Sequence, residues 1–538
     1  MKSFYNLLEE PWIPCIRLDG RMEPLSLRDT LAQAHTIREI YTDSPLTVAA
    51  LHRLLLAVLH RVFGPKDRHV WADLWHSRQK RWEEKIDEYL SRPDIHSRFY
   101  LFDEQYPFYQ VAHFPSGVKP EPQPISQLAL EVASGNNLTL FEHHSDLAPE
   151  SVTLDEAARR LVTAQAFTIG FGISYVYNGA KVMFLDGPCA RGALFFVQGD
   201  NLFQTLLLSM RQYPHSSVQF TDDEDKDKPC WEMNDPLVPA RKAPFGYLDY
   251  LTWQSLQIRL VPPSIMGMDA RITHVCRIQG LGLDKAAVLD PLKSYRLDDS
   301  GNPISRGFSD KRALWRDSVA LFELINSSRK GASTPENLQM LAQLVRHKVL
   351  PCEAQYRYLA IGLATEEGHA RNVALWRYER MPLPLAYLAD ETAVGRLRDA
   401  LNLAQAVDWR LGDACDWLTW LWLKPDAYER FDKWAESRDY KNRGKNTSFT
   451  TLRDQLSATQ HYWWRLAQPF ESVLTGLAAE DEAQVNAAML AWRDTLRQAA
   501  TAAFQEITEG IEPSPRTLRA IVKAEAHLDW GLGIALKT

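Results

Sequence analysis

From about residue 383 to the C-terminus, apolar side chains recur three and four positions apart with few breakers, a pattern that demands long helices. Val394, Leu397, Leu401 and Ala404 fall on one face, as do Val485, Met489, Trp492, Leu496 and Ala499. Trp463, Leu466, Phe470 and Leu474 supply a further stripe. The stretches 385–407, 410–437, 453–477, 482–508 and 515–535 therefore predict a bundle of about four long helices. Two prolines in RMPLPLAYL (380–388) stand just before the first of them and mark a domain boundary. The expected division is 1–380 for a mixed domain and 381–538 for the helical bundle.

Upstream the periods are mixed, and 538 residues are too many for one core. An amphipathic helix is expected over 46–63 and another over 68–90. Six prolines between 93 and 124 predict short strands and loops there. Thr153 and Glu156 read as a capping box opening a helix that ends near Phe167. ALFFVQG (193–199) reads as a buried strand, NLFQTLLLSM (201–210) as a helix and LQIRLV (256–261) as a strand. The acidic run DDEDKDK (222–228) is expected to be a solvated loop. The fold class is α+β: a mixed N-terminal domain of short strands and helices, then a C-terminal four-helix bundle.

Composition narrows the function. A net charge of −7 argues against a protein that coats nucleic acid by charge. Seventeen tryptophans suit cores and also macromolecular interfaces. The N-terminus lacks the apolar core of a signal peptide, and LHRLLLAVLHRVFG (51–64) reads as too short and too charged to span a bilayer. Six scattered cysteines without a CxxC pair predict buried free thiols, and a cytoplasmic location fits.

Enzyme motifs are absent: there is no GxxxxGK[ST], HExxH or GxSxG. Gly170-Phe171-Gly172 is half a dinucleotide fingerprint, but the following ISYVYNGAKVMF reads as loop and strand rather than helix. Glu142, His143, His144 and Asp146 could together serve a metal-dependent nuclease or hydrolase, the alternative reading. No cofactor and no metal is expected under the main one. Two local basic patches stand out against the acidic total. One spans 438–453, with Arg438, Lys441, Arg443, Lys445 and Arg453 against Asp439; the other carries Arg306, Lys311, Arg312 and Arg316. Cations gathered in this way can bind a phosphate backbone while the rest of the surface stays acidic.

Nine segments in order then resemble one family. The opening FYNLLEEPWIPC is similar to the start of the CasA family, large subunits of the type I-E CRISPR surveillance complex Cascade. LTLFEHHSD (138–146), AFTIGFGISY (166–175), ARGALFFVQGDNLFQTLLLSM (190–210), DPLKSYR (290–296), NVALWRYERMPLPLAYL (372–388) and HYWWRLAQPFESVL (461–474) are among the pieces that continue the resemblance over nearly the whole chain.

What the resemblance implies is a non-catalytic subunit. It would recognise the protospacer-adjacent motif (PAM) in double-stranded DNA from the minor groove, help open the duplex for guide pairing, and recruit a separate helicase–nuclease. Its implied partners are the other Cascade subunits, CRISPR RNA, target DNA and that nuclease; no membrane is implied. The family's PAM-facing glycine loop aligns with Gly170, Phe171 and Gly172, with Ile173 where members often carry a third glycine. A loop near the guide RNA and the PAM aligns with Asn137, Leu140, Phe141, Glu142 and His143. A strand-splitting wedge aligns with EEGHARN (366–372), hence His369, Arg371 and Asn372. Lys285 and Lys293 both lie near the position of a minor-groove lysine. Arg438, Lys441, Arg443 and Lys445 form the candidate contact to the DNA backbone.

Overall fold

The computed structural model describes residues 3–129, 150–170, 172–213, 225–263, 267, 269–284, 288–308, 313–319, 321–322, 334–366 and 369–537. The chain divides into two compact units. One comprises Met1–Leu314, Leu324–Pro351 and Tyr356–Met381; the other comprises Trp315–Glu323, Cys352–Gln355 and Pro382–Thr538.

The first unit is built around the helix Pro45–Val62. Ser44 caps it by accepting from the Thr47 amide, and Pro45 sits where a missing N–H costs nothing. The sequence pattern predicts an amphipathic helix; instead all residues from Pro45 to His60 are buried. By length and composition the helix could also cross a membrane, contrary to the reading of this stretch as too short and too charged. It is 89% buried inside the protein, as a core helix is. Its charges go inward with partners. Arg53 meets Asp290 at 2.8 Å, both side chains at most 2% exposed. Tyr250 donates its hydroxyl to the same carboxylate oxygen at 2.8 Å, and the Leu292 amide donates to the other at 2.9 Å. The Asp290 amide in turn donates to the Tyr295 hydroxyl at 2.7 Å. A buried ion pair is tolerated only when its remaining hydrogen-bonding capacity is filled in this way.

Beside this helix, Ala193–Gln198 forms a strand with all six residues buried, as its unbroken apolar run predicts. It pairs antiparallel with Gln355–Glu366, which pairs in turn with His369–Pro384. Leu202–Ser209 follows as a helix capped by Asn201. A second sheet joins Leu256–Leu260, His274–Gln279 and Gln123–Pro124. The single helix expected over 68–90 is two, Arg68–Trp75 and Gln79–Leu90, turned so that Trp71 and Trp82 both reach the core. The acidic run is not wholly solvated either. Asp227 is buried and accepts from the amides of Leu248 and Asp249 and from the Tyr213 hydroxyl. All six cysteines are free thiols, four of them buried and two half-buried.

The second unit holds four long helices: Glu391–Leu423, Thr459–Leu477, Glu482–Glu509 and Pro515–Ala535. The predicted break near 408 is absent, and the first helix runs 33 residues, about 50 Å. It stops at Leu423 rather than 437, one residue short of Lys424-Pro425. The stretch read as 453–477 is two helices, Thr447–Gln455 and Thr459–Leu477. Large aromatics lock the bundle through backbone carbonyls. Trp492 donates its indole N–H to Ala400 (2.9 Å), and the hydroxyls of Tyr462 and Tyr387 donate to Ala404 (2.9 Å) and Leu474 (2.6 Å). Each bond places a flat apolar body in the core with its polar tip satisfied.

Two stability outcomes follow. Asp290→Ala strands a buried guanidinium and is expected to destabilise the first unit by about 3–5 kcal/mol in urea unfolding, with the Arg53→Met/Asp290→Leu double variant recovering much of that loss. Trp492→Ala is expected to cost about 3–5 kcal/mol in the bundle, and Trp492→Phe clearly less.

Candidate nucleic-acid interface

The helix Leu154–Phe167 leads directly to the glycine segment. Thr153 is its N-cap, yet the capping box is not formed: no side-chain cap bond is made, the Thr153 hydroxyl bonds the Asp155 carboxylate, and Glu156 pairs with Arg160 at 2.6 Å. Past the helix the chain is fastened to its own return. The amides of Gly187 and Cys189 donate to the carbonyls of Thr168 (2.7 Å) and Ala166 (2.8 Å). The Gly170 amide donates to Asp186 Oδ1 at 2.6 Å, and Arg191 holds the other oxygen of that carboxylate at 3.0 Å.

The two glycines are required for different reasons. A Cβ on Gly170 would meet the Asp186 amide nitrogen at 2.9 Å and the Leu185 backbone at 3.0 Å, so this position is closed by its own fold. Gly172 has φ +80° and nothing within 4 Å of its would-be Cβ. It is the open member, in a conformation that a side chain would strain. Phe171 between them lies outside the described residues.

Beyond Gly172, Ile173–Tyr177 and Ala180–Met183 form a hairpin, matching the expectation of loop and strand. Its turn is Asn178-Gly179, both at positive φ, as a two-residue hairpin turn needs. Ile173, Val176, Tyr177 and Met183 are exposed on it. The strand His274–Gln279 backs this hairpin: the Gln279 amide donates to Ser174 Oγ (2.6 Å), and its side-chain carbonyl accepts from the Leu185 amide (2.6 Å). Arg277 lies 4.9 Å over the Phe184 ring. Burial draws its pKa down to about 10, so it stays charged at neutral pH.

Lys293 has a different task from the one considered for it. Its ammonium is buried and donates to the carbonyls of Pro188 and Arg191, both at 2.7 Å. It thereby latches the loop that carries Asp186 and Arg191, and is not presented to a groove. Sequence reasoning missed this latch because nothing in the spacing of DPLKSYR announces which carbonyls the lysine will meet. Lys285 lies outside the described residues.

The wedge residues fall on a long β-hairpin. Its strands Gln355–Glu366 and His369–Pro384 are 12 and 16 residues long. Pairing with Ala193–Gln198 covers only Arg357 to Gly362. The last four residues of the outgoing strand therefore run about 13 Å beyond that third strand. His369, Arg371 and Asn372 open the returning strand; their side chains are not among those described.

In the second unit the basic patch divides. Arg443 and Arg453 both bond the buried carboxylate of Asp416, at 2.9 and 3.1 Å, and Arg443 also lies 3.6 Å over the Tyr440 ring. Arg443 thereby holds the short segment Arg443–Lys445, and Arg453 the helix Thr447–Gln455, against the long helix. Arg438, Lys441 and Lys445 are exposed and form no ion pair among the described residues. Of the second patch, Lys311 and Arg312 lie outside the described residues, and Arg316 sits 3.5 Å over the Trp463 ring. The guide-proximal loop, Asn137 to His143, and the cluster Glu142, His143, His144 and Asp146 also lie outside them. Among the described residues, Cys352, Glu353 and Glu480 bring metal-type donor atoms within 4.8 Å of one another, with both carboxylates exposed.

Comparison with known proteins agrees over the full length. The family model for CRISPR-associated protein Cse1 matches residues 6–503. CRISPR-associated protein CasA/Cse1 of Thermus thermophilus is 32% identical over 98% of this chain and 97% of its own. A crystal structure of CasA from Thermus thermophilus superimposes with a TM-score of 0.75 at 29% identity, covering 99% of this chain and 100% of that one. Cse1 from Acidimicrobium ferrooxidans gives 0.79 at 25% identity, covering 100% and 99%. A chain of a CRISPR RNA-guided surveillance complex shares the fold with a TM-score of 0.69 at 21% identity, over 98% and 100%. The chain belongs to the Cse1 (CasA) family of CRISPR-associated proteins.

Proposed function

We propose that this chain is the non-catalytic large subunit of a type I-E CRISPR RNA-guided surveillance complex. In this reading it works in the cytoplasm, held by the other Cascade subunits and the CRISPR RNA. It reads the PAM in double-stranded DNA from the minor groove, promotes duplex opening and R-loop formation, and recruits a separate helicase–nuclease.

The observation that carries this reading is the open glycine. Gly172 offers bare backbone at positive φ beside an exposed hairpin, and its neighbour Gly170 is fixed to Asp186. Backbone without a Cβ can approach base edges that a side chain would keep at a distance. The minor groove presents a degenerate code, so such a loop would accept several related motifs. Ile173, exposed where relatives often have glycine, adds apolar bulk at the loop's end and would trim that tolerance.

The β-hairpin that carries His369, Arg371 and Asn372 would enter beneath the PAM and part the first base pair; the two long strands that form it support this reading. Unstacking a step costs a few kcal/mol, which wedge contacts must offset. The loop at 137–143 would contact the guide RNA and the PAM. Arg438, Lys441 and Lys445 would meet phosphates, with Arg443 holding their segment in place through Asp416.

The direct test is a gel shift of the assembled complex with and without this chain, on PAM and non-PAM duplexes. PAM-dependent binding is expected only when the chain is present. Within the complex, Gly172→Val is expected to lower PAM-duplex affinity at least about tenfold while subunit stoichiometry is unchanged; PAM-dependent binding that survives the change removes the loop from the account. Gly170→Val is the contrasting variant, expected to unfold the segment and lower the melting temperature of the chain itself. Arg438→Gln/Lys441→Gln/Lys445→Gln is expected to reduce the salt dependence of duplex binding by about two to three log units per log unit of salt, leaving PAM preference intact.

A further inference from the structure

The helix Pro515–Ala535 carries Arg516, Arg519, Lys523, His527 and Trp530 at steps of three, four, four and three. That spacing makes one stripe along the helix, beside the face that buries Ala524, Leu528 and Leu532. Two halves of the stripe differ in chemistry.

The first half is cationic. Arg516, Arg519 and Lys523 line a groove of about 340 Å3 whose opposite wall is Leu421, Pro425 and Asp426. Three cations therefore face one carboxylate. Arg516 donates to the carbonyl oxygens of Trp422 and Leu423, and Lys523 to that of Glu429 at 3.4 Å. These bonds orient the side chains without neutralising them. Arg519 is exposed and forms no ion pair among the described residues.

The second half is aromatic. Trp530 is 57% exposed, and its ring lies 5.5 Å from His527 and nearly parallel to it. His527 stacks in turn on Phe431 at 3.8 Å. Burial, and then Arg410, draw the His527 pKa down to about 4, so the ring stacks in its neutral form. An exposed indole held flat by a ladder behind it is already oriented for another ring.

Phosphates require the cations but make no use of a presented indole. A duplex keeps its bases stacked on one another and offers Trp530 no face. A polyanion with free bases uses both halves at once. We propose that this stripe is a track for single-stranded nucleic acid, its phosphates along Arg516, Arg519 and Lys523 and a base stacked on Trp530. The track extends the proposed role in duplex opening, because an opened duplex leaves a single strand to be held, but its test needs no PAM.

The test uses the full-length chain and a short fluorescein-labelled oligothymidylate, with anisotropy read across a salt series. Trp530→Ala is expected to weaken binding about tenfold at unchanged salt slope, and Trp530→Phe to restore most of it. Arg519→Gln/Lys523→Gln is expected to lower the slope by about 1.4. Circular dichroism melting of each variant keeps folding out of the comparison. A parent chain that does not bind the oligonucleotide, or variants that bind it as the parent does, overturns the proposal. So does a Trp530→Ala loss of equal size on duplex DNA. If oligonucleotide binding is unchanged while assembly with the other subunits weakens, the stripe is a protein-docking surface and the track is refuted. PAM-duplex binding by the assembled complex is measured separately, so either reading can fail alone.

Discussion

The ion pair between Arg53 and Asp290 sets the terms for the first unit. It places a charge inside a helix buried from Pro45 to His60, and only the full set of donors around Asp290 makes that tolerable. The same short segment then continues to Lys293, whose ammonium fixes two carbonyls of the loop 188–191. From there Arg191 and Asp186 reach the Gly170 amide. Charge-assisted bonds, joined by the short segment Asp290–Lys293, thus link the core to the glycine segment. The loop is positioned by electrostatics anchored in the interior, and packing alone would locate it less sharply.

The helical unit follows another principle. Its helices are tied by indole and phenol groups that donate to carbonyls of the neighbouring helix, so that apolar bulk and register are set by one side chain. Trp492 is the tryptophan that does both; Trp417, Trp420 and Trp434 are buried there as a cluster of rings packed on one another. The exposed indoles, Trp409, Trp464 and Trp530, stand apart from this group.

What the sequence revealed depended on the range of the interaction. The helical stripes of the second unit, the buried strand at 193–198 and the extended, non-helical character of the segment after Gly172 rest on neighbours a few residues apart, and they are legible. Long-range pairing is not. Arg53 reads as a flaw in an apolar helix until Asp290, far along the chain, is seen beside it. Arg443 looks like a free cation in a basic run, yet it answers to Asp416 on another helix. Asp227 looks like part of a solvated acidic loop, yet backbone amides draw it inside. In each case the charge is plain in the sequence, and a partner remote along the chain decides what it does. The glycine pair was partly legible: the motif was visible, but only the structure separates a glycine demanded by crowding from one left open.

The long hairpin has a further consequence. Among the described residues, the strand from Leu363 to Glu366 has a neighbour on one side only, and the returning strand has no outer neighbour. Such edges leave peptide groups unpaired and invite another strand to add to them, including one from an identical molecule. The sequence around the tip is Glu366, Glu367, Gly368, His369, Ala370, Arg371, Asn372, almost wholly polar and charged. Charges along a strand edge oppose that kind of pairing. The polar sequence at this end of the two-stranded ribbon therefore works against self-association, a role separate from any contact with nucleic acid.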